Sequence, residues 1–228
     1  MKTKIYSLML LLAACVCLSL SSCNKDEAEP EPTLDKTSIT LYVDETSQLK
    51  YSGKECIWSS ENSLIASVKD GLVKGEHVGS TIIRANNLTC QVTVKPKYTG
   101  VYEPYIVWGA SQSSVKSYMT GYTLKESSST KLTYNGKGFV NAYQYTFENG
   151  KLKGSSILLP LSYSTTFLEF LAERYLIGGH ADNIYSFYTL DSSTIILFTL
   201  ESYGMVVVYT ANNSSNTKEV KDIFSSDF

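Results

Sequence analysis

Residues 56–75 read CIWSSENSLIASVKDGLVKG. Three short runs in it, 56–59, 65–68 and 71–75, alternate apolar with polar residues and are separated by Ser, Asn, Asp and Gly. A period of two marks a strand with one buried face. The pattern extends outward from this stretch. Runs at 38–43 and 47–51 precede it, and runs at 80–85 and 90–94 follow. Seven short strands over about 60 residues predict an all-β sandwich. Trp58 supplies a large apolar plug between the sheets. Gly71 and Gly79 supply the turn dihedrals that side chains resist.

Residues 34–96 resemble the bacterial immunoglobulin-like group 2 domain of invasin- and intimin-type surface proteins. The matching stretches are Ile57-Trp58-Ser59-Ser60-Glu61-Asn62, the run 65–73, Gly79-Ser80-Thr81-Ile82-Ile83-Arg84-Ala85 and the closing Cys90-Gln91-Val92-Thr93-Val94. Cys56 shares strand parity with Trp58, and Cys90 with Val92 and Val94, so both are expected to point inward. They form a candidate disulfide in an exported protein, or else two buried free thiols. His77 falls on the turn between Gly75 and Gly79 and is expected to be exposed.

The N-terminal segment predicts an address. Lys2 and Lys4 precede a charge-free run, IYSLMLLLAACVCLSL, of signal-peptide length. The run ends at Leu20-Ser21-Ser22-Cys23, which resembles the lipobox of bacterial lipoproteins. The resemblance implies removal of 1–22 and lipidation of Cys23, with the membrane as partner through the acyl anchor. Leu12-Ala13-Ala14-Cys15 also fits but leaves a shorter core, and an unlipidated signal peptide is the other alternative. Residues 23–33 form the anchor and tether. Asp26, Glu27, Glu29 and Glu31, with Pro30 and Pro32, keep it extended and solvated. An acidic run after the lipidated Cys resembles the export signal of Bacteroidetes surface lipoproteins. It implies an outer-membrane protein facing outward, the alternative being a plain linker.

The remainder, 97–211 with a polar tail at 212–228, carries 14 of the 17 tyrosines. A helix is expected around 111–119, then strands at 131–134, 139–148 and 151–159, with Asn149-Gly150 as a hairpin turn. A second helix is expected over 165–176, then strands at 184–190, 194–200 and 205–210. A shift of 53 residues superimposes the halves without gaps: Val115 on Leu168, Tyr118 on Leu171, Tyr134 on Phe187, Tyr145 on Phe198. Two tandem αβββ units predict an α+β domain, a six-stranded antiparallel sheet with two helices on one face. That arrangement resembles β-lactamase-inhibitor proteins and small outer-membrane assembly lipoproteins in architecture alone. The chain is therefore expected to be multidomain. If the second sheet face is open, Tyr143, Tyr145 and Tyr185 form a candidate binding platform for a glycan or a protein; the alternative is that they are core.

Composition narrows the rest. There are 20 Lys+Arg against 22 Asp+Glu, and loss of Lys2 and Lys4 with the leader leaves 18 against 22. Without a basic stripe, no nucleic-acid partner is expected. The two His and five Cys are scattered, so no metal or cofactor is expected. No nucleophile elbow, phosphate loop or metalloprotease motif is present, so no catalytic residue is assigned. Glu169 and Glu173 lie four apart on the second helix and read as a solvated face. Gly178-Gly179-His180 reads as a helix stop. The expectation is a non-catalytic envelope lipoprotein that presents a recognition domain. The alternatives are a periplasm-facing inhibitor or assembly partner, and a carbohydrate-active enzyme.

Overall fold

The computed structural model describes residues 30–181 and 184–213. The proposed anchor Cys23, the leader and the tail beyond Asn213 lie outside them. The fold is rich in β-structure, with three sheets among the described residues. The first seven strands are β1 Ser38–Tyr42, β2 Thr46–Gln48, β3 Trp58–Ser60, β4 Ala66–Lys69, β5 Leu72–Gly75, β6 Gly79–Ala85 and β7 Leu88–Lys95. They form a four-stranded sheet in the order β1-β7-β6-β3 and a three-stranded sheet β2-β5-β4. β1 runs parallel to β7, and the other pairs are antiparallel. Leu41, Leu49, Val73, Ile83, Val92 and Val94 belong to one core, with Trp58 packed half-buried against it. The β4–β5 turn puts Asp70 and Gly71 at positive φ, and a Cβ on Gly71 would lie 2.6 Å from the Leu49 carbonyl oxygen. Only glycine meets both conditions there.

The candidate disulfide is corrected: Cys56 and Cys90 are free thiols. Cys90 pairs with Ile83, which also pairs with Ser60. Cys56 lies four residues before Ser60 and two strands from Cys90. That is roughly 13 Å along the sheet and about 10 Å across it. A bridge needs Cα atoms within about 7 Å. Parity placed both residues on one face, but register keeps them apart.

Beyond Lys95 the chain forms α1 Gln112–Tyr118, β8 Leu124–Ser127, β9 Lys131–Asn135, β10 Ala142–Glu148 and β11 Lys151–Leu159. A 3-10 turn, Leu161–Tyr163, leads into α2 Ser164–Ala172, then β12 Leu176–Ala181, β13 Ile184–Tyr188, β14 Thr194–Glu201 and β15 Gly204–Ala211. All eight strands join one antiparallel sheet in the order β12-β13-β14-β15-β11-β10-β9-β8. The sheet therefore has eight strands, not six, and each unit is one helix followed by four strands. LKES of β8 gives no strand signal, because it is exposed throughout and shows no apolar alternation. Gly178-Gly179 lies within β12 and is not the expected helix stop. A Cβ at Gly178 would lie 2.3 Å from the Tyr188 ring, so the close approach of the next strand accounts for that glycine.

The offset of 53 residues recurs in element bounds and in register. β9 and β13 coincide under it at both ends. Ala142 pairs with Asn135, and their equivalents Ile195 and Tyr188 pair as well. The irregularity between Leu124 and Glu126 returns between Ile177 and Gly179. At the centre β11 pairs with β15. Moving Gly154 forward and its partner Thr210 back by the offset gives Val207 and Ile157, also a pair. The units are thus related by an internal two-fold at the β11–β15 seam. Ser111 caps α1 by accepting from the Ser114 N–H, which fixes its start.

Candidate recognition surface

The proposed tyrosine platform is corrected first. Tyr143 and Tyr145 are 1% and 0% exposed, in one core with Val115 and Met119 from the α1 region and Phe167 and Phe170 from α2. They lie on the helix-covered face. The opposite face is not an open platform either: Gln144, Ser156, Ile195, Thr199, Val206 and Val208, of the other parity, are also buried. Tyr185 alone of the three reaches solvent, at 36% exposure.

The exposed aromatic surface lies elsewhere. The segment 98–108 enters the second core beside α1. There Tyr102 stands 5.0 Å from Tyr118 and 5.4 Å from Tyr122, ring centre to ring centre, and Tyr105 stands 5.1 Å from Tyr118. Tyr122 in turn meets the buried Tyr143 edge-on at 5.4 Å. The Lys137 ammonium sits 4.7 Å from the centre of the Tyr122 ring. Tyr102 is 40% exposed at the outer end of this stack. The Tyr143 hydroxyl donates to the Tyr102 carbonyl at 3.0 Å, and the Tyr118 hydroxyl to the Glu103 carbonyl at 2.8 Å. Burial pushes the phenols of Tyr118 and Tyr143 far above their ordinary range. The stack is thus preorganised from inside and offers its outer rings and a cation to solvent. Sequence reading placed Tyr118 in the helix expected around 111–119, with Tyr122 four residues on. It could not bring Tyr102 to them, because 98–104 carries no periodicity.

A second constellation gathers at the end of α2. Glu173, expected on a solvated helix face, is a buried carboxylate. It accepts from the Lys97 N–H at 2.9 and 3.1 Å and from the Tyr98 N–H at 3.0 Å, while its own carbonyl accepts from the Val78 N–H at 2.8 Å. Arg174 donates to the Tyr98 and Phe170 carbonyls, both at 3.0 Å, and its guanidinium covers the Phe170 ring at 3.7 Å. Tyr175 donates to Glu103 at 2.7 Å. α2 therefore ends in a clasp that holds the chain leaving β7 and the turn before β6. Charge-assisted bonds to backbone amides are among the stronger ones. A cleft of about 250 Å³ beside the clasp is lined by Val43, Asp44, Lys97, Tyr98, Glu169, Ala172 and Glu173. Glu169 itself is exposed, as expected.

The two histidines lie far apart in the chain. His77 is half-buried, its Nδ1 2.6 Å from the Leu64 carbonyl oxygen. His180 is exposed on β12 and stacks on Tyr185 at 5.4 Å. Among the described residues no three His, Cys, Asp or Glu side chains converge on a metal position, and no helix is long and apolar enough to cross a membrane. The chain matches no protein-family model, no curated protein and no solved structure.

Proposed function

We propose that this chain is a lipid-anchored protein of the bacterial outer membrane, held at the cell surface through Cys23. In this reading 34–96 is an immunoglobulin-like sandwich, and 97–211 is an α+β recognition domain that binds a glycan or a protein without catalysis. The observation that carries it is the preorganised tyrosine stack. Its outer member Tyr102 is exposed and its Tyr122 ring lies beside Lys137. Tyrosine rings give contact area at low entropic cost, and a cation beside them selects neutral or acidic ligands. The Glu173 clasp supports the spacer role, because it limits swivelling between the two segments.

The test uses the chain from residue 24 on glycan and extracellular-matrix protein arrays. A hit should weaken at least tenfold in Tyr102→Ala and Tyr122→Ala. A hit indifferent to both variants, or no hit at all, removes the stack as the site. Protease shaving of intact cells tests the address. Full protection would favour the periplasm-facing partner reading over surface display.

A further inference from the structure

Three segments build the tyrosine stack: 98–108, 112–123 and the loop 136–140. Together they carry one acid, Glu103, and two lysines, Lys116 and Lys137. The acid is engaged by the chain itself: Glu103 Oε1 accepts from the Tyr175 hydroxyl at 2.7 Å and lies 3.7 Å from the Arg174 Nε. On the same sheet Lys131 and Lys153 meet Glu126 at 3.2 Å and Glu148 at 2.9 Å. Lys137 differs from them. Among the described residues it forms no ion pair, and its ammonium stands over the Tyr122 ring instead.

The backbone around Lys137 is fixed from both sides. The Gly136 N–H donates to the Asn141 carbonyl at 2.9 Å, and the Val140 N–H to the Lys137 carbonyl at 3.2 Å. Phe139 stacks on Tyr163 at 4.3 Å and approaches Gly100 so closely that a Cβ there would lie 2.7 Å from its ring. An ammonium held over a ring keeps donors free for a second partner. The surround bears on the size of that partner. Glu103, Ser117, Thr120, Gly121, Thr123 and Gly138 flank the rings and the lysine in sequence, and all are exposed. The aromatic surface is thus a small island with a polar margin. A standard protein interface takes about 800 Å² per partner around a more apolar centre. A sugar ring needs one aromatic face for its C–H groups and a few polar groups beside it.

We propose that the stack takes a carboxylated glycan, with one sugar ring on Tyr102 and a carboxylate on the Lys137 ammonium. This rests on the recognition role proposed for the stack and names its ligand class. Tyr102 and Lys137 both meet Tyr122, at 5.4 and 4.7 Å from its ring centre, so a disaccharide spans them. The carboxylate completes the ion pair that the chain leaves unmade at Lys137. A charge-assisted hydrogen bond is about twice as strong as a neutral one, so the acid is preferred over the same sugar without its charge.

Isothermal titration calorimetry on the chain from residue 24 tests this. The acids are oligogalacturonides and sialyllactose. Their uncharged counterparts are methyl-esterified oligogalacturonides and lactose. In at least one pair the acid should bind with a Kd at least about fivefold lower than its counterpart. That preference should vanish in Lys137→Met, persist in Lys137→Arg and shrink as salt rises. Tyr102→Ala should weaken both members of the pair. Lys137 is exposed, so unchanged thermal melts establish that its variants fold. Equal affinities within both pairs, or a preference that Lys137→Met retains, overturn the carboxylate contact and leave the stack as a site for neutral sugars. No binding of any of the four up to about 1 mM overturns the glycan altogether. A protein hit on the arrays that Tyr102→Ala abolishes would then keep the recognition role without it.

Discussion

Tyr145 in β10 and Phe198 in β14 occupy one position in the two units, and both are fully buried. Tyr134 and Phe187 share another such position, as do Tyr143 and Ile196. The first unit places hydroxyls where the second places hydrocarbon. In the first unit hydroxyls meet backbone groups of its cover. The first unit packs against the irregular segment 98–108, whose backbone groups need partners once buried. Tyr143 donates to the Tyr102 carbonyl, and the Ser155 hydroxyl to the Tyr105 carbonyl at 2.6 Å. The equivalent positions in the second unit are Phe and Ile, which bring no hydroxyl to place. The same backbone plan thus accepts a polar or an apolar lining.

Alkali should break both units at once. Burial raises the phenols of Tyr143 and Tyr145 in the first unit, and of Tyr175 and Tyr209 in the second, well above their ordinary range. The folded state therefore favours the neutral phenol, while the unfolded chain releases its protons near pH 10. Stability from these groups is complete below about pH 10 and falls as pH rises above it. Phenolate absorbance and far-ultraviolet circular dichroism, followed together, should show these four ionising only as the sheet is lost. Full ionisation with the sheet intact would contradict the burial.

Truncation tests the equivalence of the two linings. Tyr145→Ala and Phe198→Ala should each cost about 3–5 kcal/mol in denaturant unfolding, by lost transfer energy and cavity formation. Tyr145→Phe should cost less, about 1 kcal/mol, since only polar contacts of its hydroxyl go: one to the Met119 sulfur at 3.0 Å and one from the Tyr105 N–H at 3.4 Å. A Phe198→Ala loss below about 1 kcal/mol would mean that the second core collapses around the gap.

The helix ends differ more than the strands. α1 ends near Thr120 and Gly121, both exposed, where the second unit has Glu173 and Arg174. Glu173→Ala strands the Lys97 and Tyr98 amides and should cost about 1–3 kcal/mol. Small-angle scattering should show a larger radius of gyration for that variant, while Thr120→Ala changes neither quantity. Equal behaviour of the two variants would mean that the clasp does not constrain the joint.

Strong local signals were readable in the sequence. The seven N-terminal strands follow the alternation closely, and the offset of 53 is visible in residues such as Tyr145 and Phe198. Edge strands were not readable, because β8 and β12 bury too little to impose a pattern. The clasp was not readable either. Glu173 looks solvated from its neighbours, and only a chain segment 76 residues earlier makes it a buried acceptor. The platform failed for a related reason: parity put Tyr143 and Tyr145 on one face but could not say which face the helices cover.

The smallest effect is the most discriminating between the units. The Tyr134 hydroxyl is buried and finds no hydrogen-bond partner among the described residues. Its equivalent, Phe187, carries no hydroxyl at that place. A buried donor without a partner is destabilising relative to a ring that lacks it. Tyr134→Phe should therefore leave stability unchanged or raise it by up to about 1 kcal/mol, and Phe187→Tyr should lower it by a similar amount. If Tyr134→Phe instead destabilises the chain, the hydroxyl has a partner such as bound water, and the first unit differs from the second in hydration as well as in side chains.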